Sequence, residues 1–271
     1  MQNLMNKLQK EEEFKSLLEF LLTNYSEYNN IINFVEDHDY DSLLANDFAE
    51  ELSKYEKDVE SIFGLQLFDI DTNSLNIKFF DTIKNVVKAL EVIKSLSPHD
   101  FERLCALYLH FLGSSKRPNV TRKSHDQGID FVGAIERDLD NKILAKNMNI
   151  NRVYLIGQAK HYKEDRVGSK EVRELAGSLL LLKSGNFALL QGIYKGLVEN
   201  IKAFTPVYAY FITSYYFSQS AKTLCMNSDI MPVDRILLAF TFGLNHEYHN
   251  VSGNFDNDIL VRKLAEIDYI R

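Results

Sequence analysis

Apolar residues recur at helical spacing from the start of the chain. Leu4, Leu8, Phe14, Leu17, Leu18, Leu21 and Leu22 predict a helical stretch over 3–37. Leu43, Leu44, Phe48, Leu52, Tyr55, Val59 and Phe63 predict a second helix over 41–63. The period then drops to two. Leu65 to Ile70 and Leu75 to Phe79 alternate around Asp71-Thr72-Asn73-Ser74, the pattern of a short hairpin. Asp81 can cap a following helix with Ile83, Val86, Val87, Leu90 and Ile93 on one face. Ser97-Pro98-His99-Asp100 is a helix start: serine caps, proline suits the first turn, and aspartate favours the positive helix end. Phe101, Leu104, Cys105, Tyr108, Leu109 and Phe111 carry that helix towards Gly113.

Strand and helix patterns alternate from there. A strand is predicted over 117–123, and Phe131, Val132 and Ile135 continue a second from Asp130. Arg152-Val153-Tyr154-Leu155-Ile156 leads a third into Gln158 and Lys160. The charged insert 137–148 between the last two reads as a hairpin loop. An amphipathic helix follows through Val172, Leu175, Ala176, Leu179, Leu180 and Leu182, then an added helix over 185–205. Val207 to Ile212 reads as a buried strand, Ser218 starts a helix to Met226, Arg235 to Phe240 reads as a final strand, and a helix closes the chain near 259–267. This order predicts an α/β fold, a mixed β-sheet core flanked by helices, with a mostly helical N-terminal domain over 1–96 and the sheet domain over 97–271.

Composition narrows the class. With 271 residues, 45% hydrophobic and 25% charged, the chain is an ordinary globular protein of one large or two modest domains. No apolar run approaches a membrane span, and Met1 to Lys10 is polar and followed by three glutamates, unlike a signal peptide. A cytoplasmic location without membrane contact is the expectation. Cys105 and Cys225 sit in apolar periodic segments and read as buried thiols; a zinc finger is excluded.

The net charge of −7 is unevenly spread. Residues 1–96 carry 9 Lys+Arg against 19 Asp+Glu, whereas 114–173 carry 13 against 8. The basic residues, among them Arg122, Lys123, Lys163 and Arg166, gather where a phosphate backbone would need them. The acidic N-terminal domain would be repelled by DNA, so it reads as a partner-binding, oligomerising or regulatory element, or as a helical cap on the sheet domain.

The candidate chemistry lies in Ser124 to Asp130 and Ile156 to Tyr162. Side chains alternate along a strand, so Gln158 and Lys160 share a face, and a paired neighbouring strand lets Asp130 reach both. A carboxylate, an amide oxygen and an ammonium make a poor core but suit Mg²⁺, which takes oxygen ligands and keeps several waters. Lysine can orient a water attacking phosphorus. Asp126-Gln127-Gly128 is turn chemistry. His161 reads as a stacking or solvated residue, and the His246-Glu247-Tyr248-His249 spacing falls short of a metalloprotease helix.

Together with Asp100 to Leu104, Val172 to Gly177, Ile212-Thr213-Ser214, Phe217-Ser218 and Ala221, these stretches resemble the Mrr-like type IV restriction endonuclease family of the PD-(D/E)xK nuclease superfamily, over roughly Ser97 to Phe240. The resemblance implies a restriction-endonuclease-like fold and an endonuclease hydrolysing DNA phosphodiester bonds with Mg²⁺ or Mn²⁺, in restriction or anti-phage defence. Residue by residue, it implies Asp130 as metal-binding acid and Lys160 as catalytic lysine. Gln158 stands where the broader superfamily has an acid, a swap the Mrr-like branch tolerates, and Glu102 stands where a further acidic group often lies. The Ala159 carbonyl would join Asp130 and Gln158 on the metal. One site per chain would favour a homo-oligomer for cutting both strands. The competing class is a non-catalytic nucleic-acid- or partner-binding module on the same fold.

Overall fold

The alternating periodicity resolves into a five-stranded sheet with helices on both faces. The computed structural model describes residues 14–15, 17–37, 44–114, 118–121, 128–136, 152–185, 198 and 201–267. Arg122, Lys123, Ser124 to Gln127, the insert 137–148 and most of the 185–205 segment lie outside them. Two compact units form: residues 1–91 with 242–256, and 92–241 with 257–271. Residues 242–256 thus fold with the N-terminal residues, although chain order groups them with the sheet.

In the second unit the strands are β3 (Asn119–Val120), β4 (Phe131–Glu136), β5 (Arg152–Lys160), β6 (Val207–Thr213) and β7 (Ile230–Val233), in that spatial order. β3, β4 and β5 pair antiparallel; β5, β6 and β7 pair parallel. Parallel pairing needs crossovers, supplied by helices Ser169–Lys183 and Gln219–Asn227. Both lie on one face, where Val172, Leu175, Ala221 and Cys225 pack with Val132, Tyr154, Ile156 and Phe211. Helix Pro98–Phe111 covers the other face: a Cβ on Gly133 would sit 3.1 Å from Leu109, and Tyr108 meets the Tyr210 ring edge-on. Gly157 is on that face too. The Phe131 ring fills the space beside it, so that an added Cβ would fall 2.2 Å from a ring carbon and 2.6 Å from the Tyr210 carbonyl.

The caps act as their chemistry requires. Ser97 Oγ accepts from Asp100 N with Pro98 in the first turn, Ser218 Oγ accepts from Ala221 N, and Gly113 ends the first of these helices at φ +93°. Both cysteines are buried free thiols.

Three expectations change. Arg235–Leu244 is a helix, and the last strand is Ile230–Val233 before it. An unbroken apolar run suits a buried strand and a buried helix equally; Asp234 decides the matter, accepting from Leu237 N at 3.1 Å as a helix cap. Pro232 is tolerated because β7 is the last strand of the order. The stretch 3–37 is interrupted: its first helix ends at Thr23, and Asn30 caps a separate helix Ile31–Glu36 through bonds from Ile32 N and Asn33 N. Of the strand expected over 117–123, the described residues are 118–121, and of these Asn119 and Val120 pair with β4.

In the first unit, helix Leu44–Phe63 packs near an antiparallel ribbon of β1 (Phe68–Asp71) and β2 (Asn76–Phe79). Glu56, 9% exposed, accepts the Leu67 N–H at 2.9 Å and so fixes the entry to the ribbon. Asn85, on helix Ile83–Ser95, receives residues 242–256: its Nδ2 donates to Gly253 O and its Oδ1 accepts from Phe255 N. Among the described residues, no helix is long and apolar enough to cross a membrane.

Candidate active site

The register of β4 on β5 pairs Phe131 with Gly157, which puts Asp130 across from Gln158. The Asp130 backbone is held from both sides, its N–H donating to Gly157 O at 2.9 Å and its carbonyl accepting from Thr121 N at 2.8 Å. Its carboxylate accepts from Ala159 N at 2.7 Å. The N–H and C=O of one strand residue point to the same neighbour. The Ala159 carbonyl therefore faces the edge that Asp130 occupies.

Gln158 is only 4% exposed, and its Oε1 is buried without a hydrogen-bond partner among the described residues. Its amide lies beside Gly128, where a Cβ would fall 3.6 Å from Gln158 Nε2 and 3.2 Å from Ser178 Oγ. Gly128 adopts φ +81°, so a side chain there would be both strained and crowded. Lys160, two residues on, shares the Gln158 face at the half-buried strand end. Its carbonyl accepts from Thr213 Oγ1 at 3.0 Å and Ser214 N at 3.1 Å, which ties that end to β6.

Glu102 approaches from helix Pro98–Phe111, on the opposite face, with its side chain 16% exposed and 3.9 Å from His99 Nδ1. Burial pushes the Cys105 thiol well up, and the charges of Asp130 and Glu102 push it further.

His161 points away from the Lys160 face. Its ring lies on Phe101 with centroids 5.2 Å apart and planes 26° from parallel, and Nδ1 is 2.7 Å from Ser214 Oγ. Burial lowers its pKa, favouring the neutral ring. Lys163 and Arg166 are exposed on the loop after β5. Arg122 and Lys123 fall outside the described residues. His249 Nε2 donates to Gly243 O, 2.8 Å away, and its ring meets His246 edge-on; both belong to the first unit.

Among the described residues, no three His, Cys, Asp or Glu side chains cluster as a metal site. The donor set at the strand ends is different in kind: one carboxylate, one buried amide oxygen and one main-chain carbonyl. An orphaned buried oxygen is costly unless something fills its coordination. All-oxygen donors of this type fit a hard divalent cation such as Mg²⁺ or Mn²⁺. Ser178 is a neighbour of the site that the sequence did not suggest, whereas Gly128 and Ser214 stood in the candidate motifs without an assigned role. Thr213-Ser214, a polar pair ending an apolar strand, was the available signal for the last.

Residues 93–206 match the Mrr_cat family model, described as restriction endonuclease. No curated protein sequence matches the chain. Among solved structures, the chain is similar to the MspJI restriction endonuclease in complex with a 27-mer oligonucleotide, at 17% identity and a TM-score of 0.44, over 69% of this chain and 37% of that one. It is also similar to the DNA modification-dependent restriction endonuclease AspBHI, at 15% identity and a TM-score of 0.39, over 67% and 39%. The chain thus spans less than half the length of either.

Proposed function

We propose, from the premise that residues 93–206 are a restriction-endonuclease domain of the Mrr_cat family with a restriction-endonuclease-like fold, that the chain is a divalent-metal-dependent endonuclease acting on DNA. The observation that carries this is the buried Gln158 Oε1, without a partner among the described residues, set across from Asp130 and two residues before Lys160. Asp130, Gln158 and the Ala159 carbonyl would hold Mg²⁺ or Mn²⁺, with Glu102 adding a carboxylate from the covering helix. When bound, such an ion supplies Lewis acidity and a water acidic enough to act near neutral pH.

The chain's own residues do the rest. Asp130 keeps the Ala159 backbone in place through its carboxylate while presenting negative charge. Lys160 orients the attacking water and offsets the charge growing on the phosphate oxygens. Lys163 and Arg166, with Arg122 and Lys123, supply the phosphate contacts that give affinity without reading sequence. Restriction or anti-phage defence is the setting proposed, with two copies acting where both strands are cut, and a partner for the acidic N-terminal residues.

Gln158 in place of an acid also favours a second reading, a DNA-binding module without catalysis. Supercoiled plasmid, methylated and unmethylated, incubated with pure protein separates the two. Nicking that needs Mg²⁺ or Mn²⁺ and disappears with Asp130→Asn supports the nuclease. Tight binding without cleavage under any metal supports the module.

A further inference from the structure

His161 is the best-held side chain at the site that the chemistry above leaves without a task. Its ring is stacked on Phe101, the residue before Glu102, and bonded to Ser214. Ser214 Oγ spends its single proton on Tyr162 O at 2.9 Å, so it offers a lone pair to the imidazole. The ring also bonds the backbone of Leu96, just before helix Pro98–Phe111. The Ser214 N–H and the Thr213 hydroxyl grip the Lys160 carbonyl. Three elements meet at this plate: the end of β5, the end of β6 and the first turns of helix Pro98–Phe111.

We propose that His161 is a positioning residue that pins the end of β5, so that Lys160 and the Ala159 carbonyl stay aimed into the site while Glu102 is held at a set height above it. Alternation along the strand is what makes this work. A ring fixed on one face forces the preceding side chain onto the other. A catalytic group held by a locked neighbour keeps its geometry, whereas a small misplacement costs rate rather than binding. The inference rests on the nuclease reading for its kinetic consequence, not for its structural one.

The test uses the full chain. Long-range ¹H–¹⁵N spectra should show His161 held in a single ring tautomer; a ring exchanging freely between the two tautomers overturns the proposal. Amide exchange of Ser214 and Ala159 should quicken in His161→Ala, and unchanged exchange at both also overturns it. In Mg²⁺-dependent nicking, His161→Ala should lower kcat by about 10- to 100-fold with KM for DNA little changed. His161→Phe keeps the stack and His161→Asn keeps a donor to Ser214. Each should recover part of the loss, and both remain available should the alanine variant fail to fold. A rise in KM with kcat intact would make His161 a phosphate contact and sink the positioning role. Wild-type protein inactive with every metal would instead remove the nuclease reading, leaving the tautomer and exchange results to decide this one.

Discussion

Glu56 and Asp130 are two carboxylates with the same local bond and different surroundings. Each accepts a backbone N–H from a neighbouring segment, Leu67 at 2.9 Å and Ala159 at 2.7 Å. Glu56 sits inside the first unit, where burial raises its pKa, and the acids Glu60 and Asp69 raise it further. Its other oxygen, Oε2, is buried without a partner among the described residues, but the groups named around it are acids, and no lysine or amide stands with them. Asp130 sits at a strand end, across from an amide whose oxygen has no partner among the described residues, with a lysine on the adjacent strand. A buried acid held by the backbone of Leu67 and Phe68 among other acids is a structural peg. The same acid becomes a candidate catalytic group when its neighbours leave oxygen and charge uncommitted.

The largest effect should come from Asp130→Asn. The amide oxygen still accepts from Ala159 N, so the fold keeps its bond while the charge goes. Cleavage should fall by about 10³-fold, in the range seen when one electrostatic partner of a reaction is removed. Melting should stay close to wild type. Asp130→Ala would add the loss of the acceptor, on the order of 1–2 kcal/mol. Unchanged nicking by the Asn variant would place Asp130 with Glu56 as a peg.

Lys160→Ala comes next, with cleavage down by about 10²-fold and thermal unfolding little moved, read in the same plasmid assay. Cleavage at the wild-type rate would remove lysine from the proposed chemistry.

Gln158→Glu turns the amide into a second buried acid and so sharpens the comparison. Without metal, the melting temperature should fall, because a charge 4% exposed replaces a neutral group. Saturating Mn²⁺ should restore it, and calorimetry should show tighter metal binding than in wild type. A metal-independent melting temperature would argue that nothing binds there.

The smallest effect belongs to Glu56→Gln. A carboxyl whose folded pKa is raised binds its proton more tightly folded than unfolded. Its contribution is full at low pH and is lost as pH rises through the folded value. The variant should match wild type in acid and become the more stable of the two towards neutral pH, by melting curves between about pH 4 and pH 8. Cleavage should be unaffected. A variant less stable at neutral pH would show that the Leu67 bond needs the charge.

Much of this was legible along the chain because it is local. Ser97 and Ser218 cap where their hydroxyls reach the third N–H onward, and the ribbon of β1 and β2 follows from alternation around a polar turn. Strand β5 and its end at Gln158 and Lys160 could be read the same way. Arg235 to Phe240 could not, since an apolar run without alternation has no period to choose between strand and helix. The interruption at Asn30 was hidden for a related reason: a capping bond to Ile32 and Asn33 outweighs an apolar repeat that continues through it.

Local chemistry, then, determined the caps, the strands and the order of acid, amide and lysine, because each depends on residues a few positions apart. Only the folded chain decided that residues 242–256 pack with Asn85, that the Gln158 oxygen is buried without a partner among the described residues, and that His161 lies between Phe101 and Ser214. Those depend on burial and on contacts across 53 to 170 residues of chain. Pattern along a sequence carries no record of which distant surface removes a group from water.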